Sequence, residues 1–492
     1  MLHAPDFPSH LPWLNTPQPL TLKKLRGHVV VLDFWTYCCI NCIHILPDLK
    51  ELEEFFAGKA VAVIGVHAAK FKNEQSETNI QSAIDRYEIA HPVVVDNDHE
   101  IWDSYAVRAW PSFVVIDTEG YVRAQFSGEG QKGALKQAVE QLLKEADQKG
   151  TLATEPLSLH TKPTTNSSTL KFPGKICLDD TGKKLFISDS NHNRILVTEL
   201  SSPTEAHIVA TIGSGEEGRA DGTFNHSSFN HPQGLAYKNN QLLICDTENH
   251  LLRLADLSSN TVATLAGTGH QALYGGEGGI ATTTALNSPW DVTLIDESAY
   301  IAMAGSHQIW RYDFNTKVIE VFAGNGYENI VDGPRTQAQL AQPSGITHTN
   351  HSLYFADSEV SAVRSLDLKT DKVETLVGHH LFVFGDQDGD FEDALLQHPL
   401  GLTAEGHEVW VADTYNQAIR KLDLQTKSVS TVIKRTSKDS CTIGDEECMI
   451  LPLYEPNDIK KQGHYLYIAD TNNHLIRVFN LENNSLTDLT FS

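Results

Sequence analysis

The hydrophobic positions along the chain follow two different patterns. Up to about residue 147, short apolar runs rich in β-branched residues alternate with stretches that are apolar at helical spacing. The strand-like runs are 29–35, 60–66, 92–96, 111–117 and 121–126, and the helix-like stretches are 42–56, 77–87, 101–105 and 132–146. Short strands that alternate with helices predict βαβ units around a partly parallel sheet, so an α/β domain is expected here.

From about residue 169 the pattern repeats. Each of six units opens with a proline, and successive prolines are 59, 57, 54, 56 and 57 residues apart: Pro173, Pro232, Pro289, Pro343, Pro399 and Pro456. An apolar residue lies three positions before each proline: Leu170, Phe229, Leu286, Leu340, Leu396 and Leu453. Another lies three positions after it: Ile176, Leu235, Val292, Ile346, Leu402 and Ile459. Because each unit contains four strand-like runs, we predict the four-stranded blades of an all-β six-bladed propeller.

The stretch between the two patterns is predicted to be a linker. Residues 148–168 are rich in Thr, Ser and Pro and show no period. The predicted organisation is therefore an α/β domain over 1–147, a linker over 148–168 and the propeller over 169–492.

Net charge and the amino terminus narrow the functional classes. The formal net charge is −25, which disfavours nucleic acid and anionic membrane surfaces as partners. The first residues contain no basic start followed by an apolar core, and no apolar run is long enough to span a bilayer. We therefore expect a cytoplasmic protein without membrane association, in a compartment that keeps thiols reduced. No sequence feature indicates an oligomeric state.

Polar residues recur within the propeller units. The second strand-like run ends in Asp in five units and in Ala304 in the third: Asp189, Asp246, Asp357, Asp413 and Asp470. An Arg follows seven residues later in five units, whereas Arg194 follows five residues later in the first: Arg253, Arg311, Arg364, Arg420 and Arg477. We interpret the Asp as an acceptor of backbone N–H bonds in the following turn, and we expect the Arg to pair either with this Asp or with the next blade. The alternative is a carboxylate ring that binds a metal, which Ala304 would interrupt.

Two further propeller patterns are predicted to form turns. Asp-Gly pairs at Asp221, Asp332 and Asp388 indicate turns in which Gly adopts a positive φ. Trp290-Asp291 and Asn457-Asp458 lie near the starts of the inner strands. They are the only indication of an enzymatic centre on the propeller axis, and we interpret both as turn residues.

Three of the seven cysteines lie in the stretch "WTYCCINC" (35–42): Cys38, Cys39 and Cys42. Cys39 is expected at a helix N-terminus, where free N–H groups and the helix dipole favour a thiolate. Cys42, one turn further on, would reach its sulfur, which is the arrangement that thiol–disulfide exchange needs. A metal site and a structural site are the alternatives, but a closed zinc site needs four ligands and no second Cys or His pair follows within the domain. We predict no metal and no cofactor.

The other four cysteines have weaker assignments. Cys177 and Cys245 lie in predicted strands and are expected to act as small apolar residues. Cys441 and Cys448 flank a loop of the propeller and could pair.

Two segments of the α/β domain carry a family resemblance. "DFWTYCCINCIHILP" resembles the "DFWxxWCxxC" active-site stretch of TlpA-like thioredoxin domains, and "AWPSFVVID" resembles their cis-proline segment. In this resemblance Asp33 is the buried acid that handles the thiol proton and Pro47 is the proline within the helix. Pro111 is the cis-proline, with Trp110 before it. Cys38 replaces the usual Trp, and Ile40-Asn41 replaces the usual dipeptide.

The full layout and the "YCCINC" motif resemble the NHL-repeat-containing protein 2 family. The resemblance implies a thioredoxin-like domain that acts as a thiol–disulfide oxidoreductase, in which Cys39 attacks and Cys42 resolves. It also implies that Asp33 transfers the proton, that Pro111 shapes the substrate groove and that Cys38 and Trp110 support the site. The propeller would dock a protein substrate or partner. The alternative is a redox-sensitive interaction scaffold without turnover.

Overall fold

A computed structural model describes residues 2–154, 157, 168–272, 276–349, 351–435 and 452–492, and the backbone alone of 441–443 and 446–448. The chain divides into two compact units, Met1–Thr165 and Asn166–Ser492. The predicted linker, 148–168, spans this division, and more than half of it lies outside the described residues. None of the described helices is long and apolar enough to cross a bilayer.

The first unit contains one six-stranded sheet and four α-helices. The strands are β1 (Trp13–Leu14), β2 (Val29–Trp35), β3 (Val61–His67), β4 (Val93–Val95), β5 (Ser112–Ile116) and β6 (Val122–Ser127). The helices are α1 (Ile40–Phe55), α2 (Glu77–Arg86), α3 (Glu100–Ser104) and α4 (Lys132–Lys149), with a 3₁₀ turn at Lys72–Gln75. The order in the sheet is β1-β4-β3-β2-β5-β6. Strands β2, β3 and β4 run parallel and the others pair antiparallel, so the predicted partly parallel α/β fold is confirmed.

The central strand β2 is buried on both faces, which its continuous β-branched run predicts. Val29 and Val31 pack against α1 and α4, whereas Val30 and Leu32 belong to the core on the opposite face. Because side chains alternate along a strand, Asp33 lies on the same face as Val29 and Val31. This register places its carboxyl beneath α1.

The second unit consists of six β-sheets, which are the six blades. Each blade has four main strands, which run in sequence order from the innermost outward. Blade one contains Pro173–Leu178, Lys184–Asp189, Arg194–Ser202 and Glu205–Ile212. Blade two contains Leu235–Lys238, Gln241–Asp246, Leu251–Asp256 and Thr261–Ala266. Blade three contains Pro289–Ile295, Ser298–Met303, Gln308–Asp313 and Val318–Ala323. Blade four contains Pro343–Thr349, Ser352–Asp357, Ala362–Asp367 and Lys372–Val377. Blade five contains Gly401–Glu405, Glu408–Asp413, Ala418–Asp423 and Ser428–Arg435. Blade six contains Pro456–Gln462, Tyr465–Asp470, Leu475–Asn480 and Ser485–Asp488.

The blades close into a ring. Each innermost strand contacts the innermost strand of the next blade, and that of blade six contacts that of blade one. The strand Thr490–Phe491 also pairs in parallel with the outermost main strand of blade one. The predicted six-bladed propeller is therefore confirmed.

The four predicted strands are present in every blade, and five of the six blades carry further short strands that were not predicted. In blades two to five the segment that enters the blade adds a short strand to the outer edge: Gly222–Thr223, Gly278–Ile280, Gly333–Pro334 and Gly389–Asp390. Blade five also carries a hairpin, Cys441–Ile443 with Glu446–Cys448, and blade one gains the strand at the end of the chain. These strands are two or three residues long, which is too short to show a period in the sequence.

The repeated apolar residues before each proline are buried between neighbouring blades. All six are at most 1% exposed: Leu170, Phe229, Leu286, Leu340, Leu396 and Leu453. Phe229, for example, packs in one cluster with Phe186 of blade one and Leu242 of blade two. The repeat marks inter-blade contacts, because a single blade cannot bury both faces of its sheet.

Candidate active site at the start of helix α1

Cys39 and Cys42 occupy the N-terminal turn of α1. Cys39 is the N-cap residue, with an extended backbone at φ −77° and ψ 114°. Its carbonyl accepts hydrogen bonds from the N–H groups of Cys42 and Ile43 at 3.0 and 3.1 Å. The sequence-based positions of the two cysteines, at the helix start and one turn further in, are confirmed. Neither cysteine forms a disulfide in this structure.

The Cys42 thiol is more deeply buried than the Cys39 thiol. Cys42 is fully buried and Cys39 is 5% exposed. Burial raises the pKa of Cys42 well above its usual value, and the hydrogen bond to Cys39 and the field of that thiol raise it further. A hydrogen bond with the Thr36 backbone and the positive field of Lys70 oppose this shift. Cys42 is therefore a thiol at neutral pH and needs a proton acceptor before it can attack. The low pKa predicted for Cys39 stays a prediction.

Asp33 is the buried acid on the sheet face beneath α1. Its side chain is fully buried, and neither carboxyl oxygen has a hydrogen-bond partner. Burial raises the pKa of Asp33 to about 7, while the positive field of His91 lowers it and the negative field of Glu53 raises it. An acid with a pKa near neutrality can both accept and return a proton at physiological pH. This is the property that the predicted role of Asp33 requires.

Glu74 holds the segment that leads into the cysteines, and the sequence did not reveal it. Its Oε1 accepts hydrogen bonds from the Thr36 hydroxyl at 2.7 Å and from the Cys38 N–H at 2.9 Å. Its Oε2 accepts from the N–H groups of Lys70 and Phe71 at 2.9 and 3.0 Å. Burial raises the pKa of Glu74, and these hydrogen bonds oppose the shift. Glu74 lies 36 residues from Cys38, so no local pattern connects the two.

Cys38 and the Trp110–Pro111 segment complete the site. Cys38 is 2% exposed, so its side chain is buried away from solvent. The Trp110–Pro111 peptide is cis, as predicted. Because Phe34 of β2 pairs with Ser112 of β5, this peptide lies at the end of β2 from which the chain continues to Cys39. Trp110 is fixed there by a 3.0 Å hydrogen bond from its Nε1 to the carbonyl of Ala68.

The repeated propeller Asp has a structural role, but its main backbone donor differs from our prediction. In each of the five blades that have it, Oδ1 accepts from the N–H group two residues before the blade proline rather than from the following turn: Lys171, Asn230, Ala341, Gln397 and Tyr454. The predicted Arg partner is confirmed in the same five blades: Arg194, Arg253, Arg364, Arg420 and Arg477. In blade three, where Ala304 stands in place of the Asp, the side chain of Asn287 makes different hydrogen bonds: its Nδ2 donates to the carbonyls of Ala272 and Gly305.

The Asp-Gly pairs do more than form turns. Gly222, Gly333 and Gly389 have positive φ, as predicted. In addition, each Asp binds the Arg of its blade: Asp221 with Arg253, Asp332 with Arg364 and Asp388 with Arg420. The separation is 32 residues in all three blades, and this constant spacing could have revealed the pairs.

Asp291 and Asp458 are not turn residues, which corrects our interpretation. Both are buried in innermost strands. Asp291 Oδ2 accepts from the Ile346 N–H of the next blade, and Asp458 Oδ2 accepts from the Ile176 N–H of blade one, both at 3.0 Å. Lys175 Nζ lies 3.6 Å from Asp291, and Lys460 Nζ lies 2.9 Å from Asp458. The two carboxylates therefore join adjacent blades and are neutralised by lysines.

No cluster of three or more His, Cys, Asp or Glu side chains in the described part of the chain is arranged to hold a metal ion. Cys441 and Cys448 face each other in the backbone register of the blade-five hairpin. Their side chains lie outside the described residues, so their pairing stays a prediction.

Comparison with known proteins places this geometry in context. A family model described as "Thioredoxin-like" matches residues 27–122, and one described as "NHL repeat" matches residues 229–253. Over residues of the first domain, the chain is 27% identical to the thiol-disulfide oxidoreductase ResA of Halalkalibacterium halodurans, covering 26% of this chain and 66% of that protein. The first unit is thus a thioredoxin-like domain related to thiol–disulfide oxidoreductases.

Two relatives match nearly the whole chain. Protein SUPPRESSOR OF QUENCHING 1, chloroplastic, of Arabidopsis thaliana is 44% identical over 97% of this chain, which spans 46% of that protein. NHL repeat-containing protein 2 of Gallus gallus is 40% identical over 99% of this chain, which spans 71% of that protein. With this identity across both the thioredoxin-like domain and the propeller, the chain belongs to the NHL repeat-containing protein 2 family.

Proposed function

We propose that the Cys39–Cys42 pair catalyses thiol–disulfide exchange with a protein substrate. One observation carries this proposal: Cys39 caps α1, and Cys42 lies one turn further in, on the helix that covers the buried Asp33. A reactive thiol, a resolving thiol and an acid whose pKa is about 7 are the three groups that the exchange needs.

The exchange proceeds in two displacements. The Cys39 thiolate attacks a substrate disulfide, so a bond forms between the two proteins and the substrate's other sulfur leaves as a thiolate. Asp33 then accepts the proton of Cys42, and the Cys42 sulfur attacks Cys39 Sγ. The intramolecular disulfide forms, the second substrate sulfur leaves, and the substrate has gained two electrons. A dithiol reductant restores the pair by the reverse steps.

The propeller is the proposed docking module for the protein substrate or partner. Three large apolar side chains are well exposed on the segments that enter blades three to five: Ile280 (65%), Tyr327 (72%) and Phe382 (63%). Exposed apolar residues of this size support protein contacts. We keep the cytoplasm as the proposed compartment, although one relative is named as a chloroplastic protein.

A redox-sensitive scaffold without turnover is the second candidate. The observation that favours it is the 5% exposure of Cys39, which restricts the approach of a folded substrate. In this alternative the pair forms its disulfide under oxidising conditions and releases no reduced product.

Cysteine variants of the full chain distinguish the two candidates. Cys42→Ser is expected to accumulate a mixed disulfide with a disulfide-bonded protein substrate, because attack occurs without resolution. Cys39→Ser is expected to abolish disulfide reduction, and Cys38→Ser to retain most of it. Reduction is measured with insulin and with a small aromatic disulfide. A wild-type protein that reduces neither, together with a Cys42→Ser variant that traps nothing, would leave the scaffold as the function.

A further inference from the structure

In the described part of the chain, the buried polar atoms without a hydrogen-bond partner near strand β3 include the two carboxyl oxygens of Asp33, Trp35 Nε1 and His91 Nε2, besides the ring nitrogens of His67. Asp33 pairs with Gly65 in the parallel register of β2 and β3, so both residues face α1. A Cβ atom at Gly65 would lie 2.9 Å from Trp35 Nε1 and 3.3 Å from His91 Nε2. The absence of a side chain at Gly65 therefore lets Trp35 Nε1 and His91 Nε2 approach the strand next to Asp33, and buried polar groups that lie this close together without partners suit a bridging water molecule.

The other ring nitrogen of His91, Nδ1, contacts a residue that is partly exposed to solvent. His91 Nδ1 lies 3.3 Å from Glu53 Oε2 on α1. The His91 side chain is 3% exposed and that of Glu53 is 19% exposed, so the pair connects the buried site with solvent. Burial alone would lower the pKa of His91, but the hydrogen bond to Glu53 and the negative fields of Glu53 and Asp33 raise it above its usual value. His91 can therefore carry a proton near neutral pH.

The other titratable groups on this side of the sheet do not offer an equivalent route. His67 of β3 lies beside Trp35, but burial lowers its pKa to about 3, so it stays neutral. Lys70 acts on the Cys42 thiol through its positive field rather than on Asp33. His91 and Glu53 are the charged groups whose fields act on the pKa of Asp33.

We propose that His91 and Glu53 form a proton relay between Asp33 and solvent, with a water molecule over Gly65 bridging Asp33 to His91 Nε2. This inference rests on the proposed thiol–disulfide exchange. His91 and Glu53 act through Asp33 and touch neither substrate nor sulfur, so both are positioning residues.

The relay acts when a dithiol reduces the oxidised pair. A dithiol thiolate attacks Cys39 Sγ, the Cys39–Cys42 bond breaks, and Cys42 leaves as a thiolate that takes the proton of Asp33. His91 then returns a proton to Asp33 and regains one through Glu53 from solvent water. The second dithiol sulfur displaces Cys39, so the dithiol becomes a cyclic disulfide and both cysteines become thiols.

The test is the pH dependence of this reduction in the full-length protein. The oxidised pair is mixed with dithiothreitol at a series of pH values, the reaction is quenched with an alkylating agent, and the modified peptides are quantified by mass spectrometry. Rates are divided by the concentration of dithiol thiolate. Glu53→Gln preserves size but removes the base, and Glu54→Gln, an exposed neighbour on α1, is the matched control.

We expect Glu53→Gln to lower the normalised rate by about tenfold above neutral pH, a modest share of what acid–base catalysis contributes. The pH at which the rate falls should also shift downwards, because His91 loses the partner that raises its pKa. Glu54→Gln should follow wild type, and Glu53→Asp, which keeps the carboxylate, should recover most of the loss.

His91→Gln provides a second variant at the buried position and should show the same slower, shifted profile. Wild-type rates and an unshifted profile in both Glu53→Gln and His91→Gln would overturn the relay and leave the proposed exchange intact. A wild-type pair that neither forms nor loses a disulfide is a different result, since it overturns the proposed function and the relay with it.

Discussion

Asp33 is a carboxylic acid on a buried face of the central strand, and that position connects protein stability with pH. Its pKa is about 7 in the folded protein, against 3.8 for an unperturbed side chain. The folded state therefore binds the proton more tightly than the unfolded state does. As the pH rises from about 4 to 7, this advantage is lost, and the contribution of Asp33 to the free energy of unfolding falls.

We expect Asp33→Asn to remove this pH dependence. Relative to wild type, the free energy of unfolding of the variant should rise progressively between about pH 4 and 7, by up to about 4 kcal/mol, and level off above. Hydrogen exchange of amides in β2, followed by mass spectrometry, measures this in the full chain. Asp98→Asn at an exposed position is the control and should show a flat difference. A flat difference for Asp33→Asn as well would mean that the acid ionises with an ordinary pKa.

For single residues, the sequence revealed those that lie within the cysteine motif but not those that contact the motif from distant parts of the chain. Asp33, Cys39 and Cys42 lie within ten consecutive positions, so their spacing indicates their roles. Glu74 and His91 contact the site only because distant segments pack against β2 and α1. A contact of that range leaves no periodic pattern for sequence reasoning to detect.

A buried ion pair between Asp and Arg recurs within the blades of the propeller. In blade four Arg364 is fully buried and binds Asp357, also fully buried, at 2.9 Å. Blade three offers a natural contrast, since Ala304 replaces the Asp and Arg311 pairs instead with Glu320 at the surface. The Arg311 and Glu320 side chains are 36% and 42% exposed.

Arg364→Ala should therefore destabilise the propeller by about 3–5 kcal/mol, because it leaves Asp357 as an uncompensated buried charge. Arg311→Ala removes the same atoms from the same position of the neighbouring blade and should cost about 1 kcal/mol or less, because its ion pair is solvated. Urea denaturation of the full-length variants, monitored by hydrogen exchange of blade-three and blade-four peptides, compares the two. Equal losses would show that the buried pair contributes no more than an exposed one.

For the whole molecule, the number of propeller blades was predictable from the sequence, but contacts between distant parts of the chain were not. The propeller's blade number followed from the proline spacing, because the apolar residues around each proline fill equivalent inter-blade contacts. The strand Thr490–Phe491 was not predictable, since its partner in blade one lies nearly 300 residues earlier, as in the pairing of Thr490 with Glu205. The pair of Asp291 was missed because Lys175 belongs to another blade, whereas Asp458 and Lys460 lie two residues apart in one strand and their spacing could have revealed them.

The whole chain also places chemically different cysteines in the two units. Burial raises the pKa of Cys177 to about 12 and that of Cys245 well above its usual value, so these two thiols of the propeller are not reactive near neutral pH. Cys38 is buried and lies next to Cys39 in sequence, and adjacent cysteines rarely form an unstrained disulfide. Among the five cysteines whose side chains the structure describes, oxidation should therefore be confined to Cys39 and Cys42.

A redox titration of the full-length protein tests this most directly. The protein is equilibrated in dithiol–disulfide buffers of graded potential, remaining thiols are alkylated, and each cysteine peptide is quantified by mass spectrometry. We predict that Cys39 and Cys42 lose their label together in a single two-electron transition, while Cys38, Cys177 and Cys245 stay labelled throughout. The account would be contradicted if Cys39 and Cys42 stayed reduced at every potential, or if the disulfide joined Cys38 to either of them.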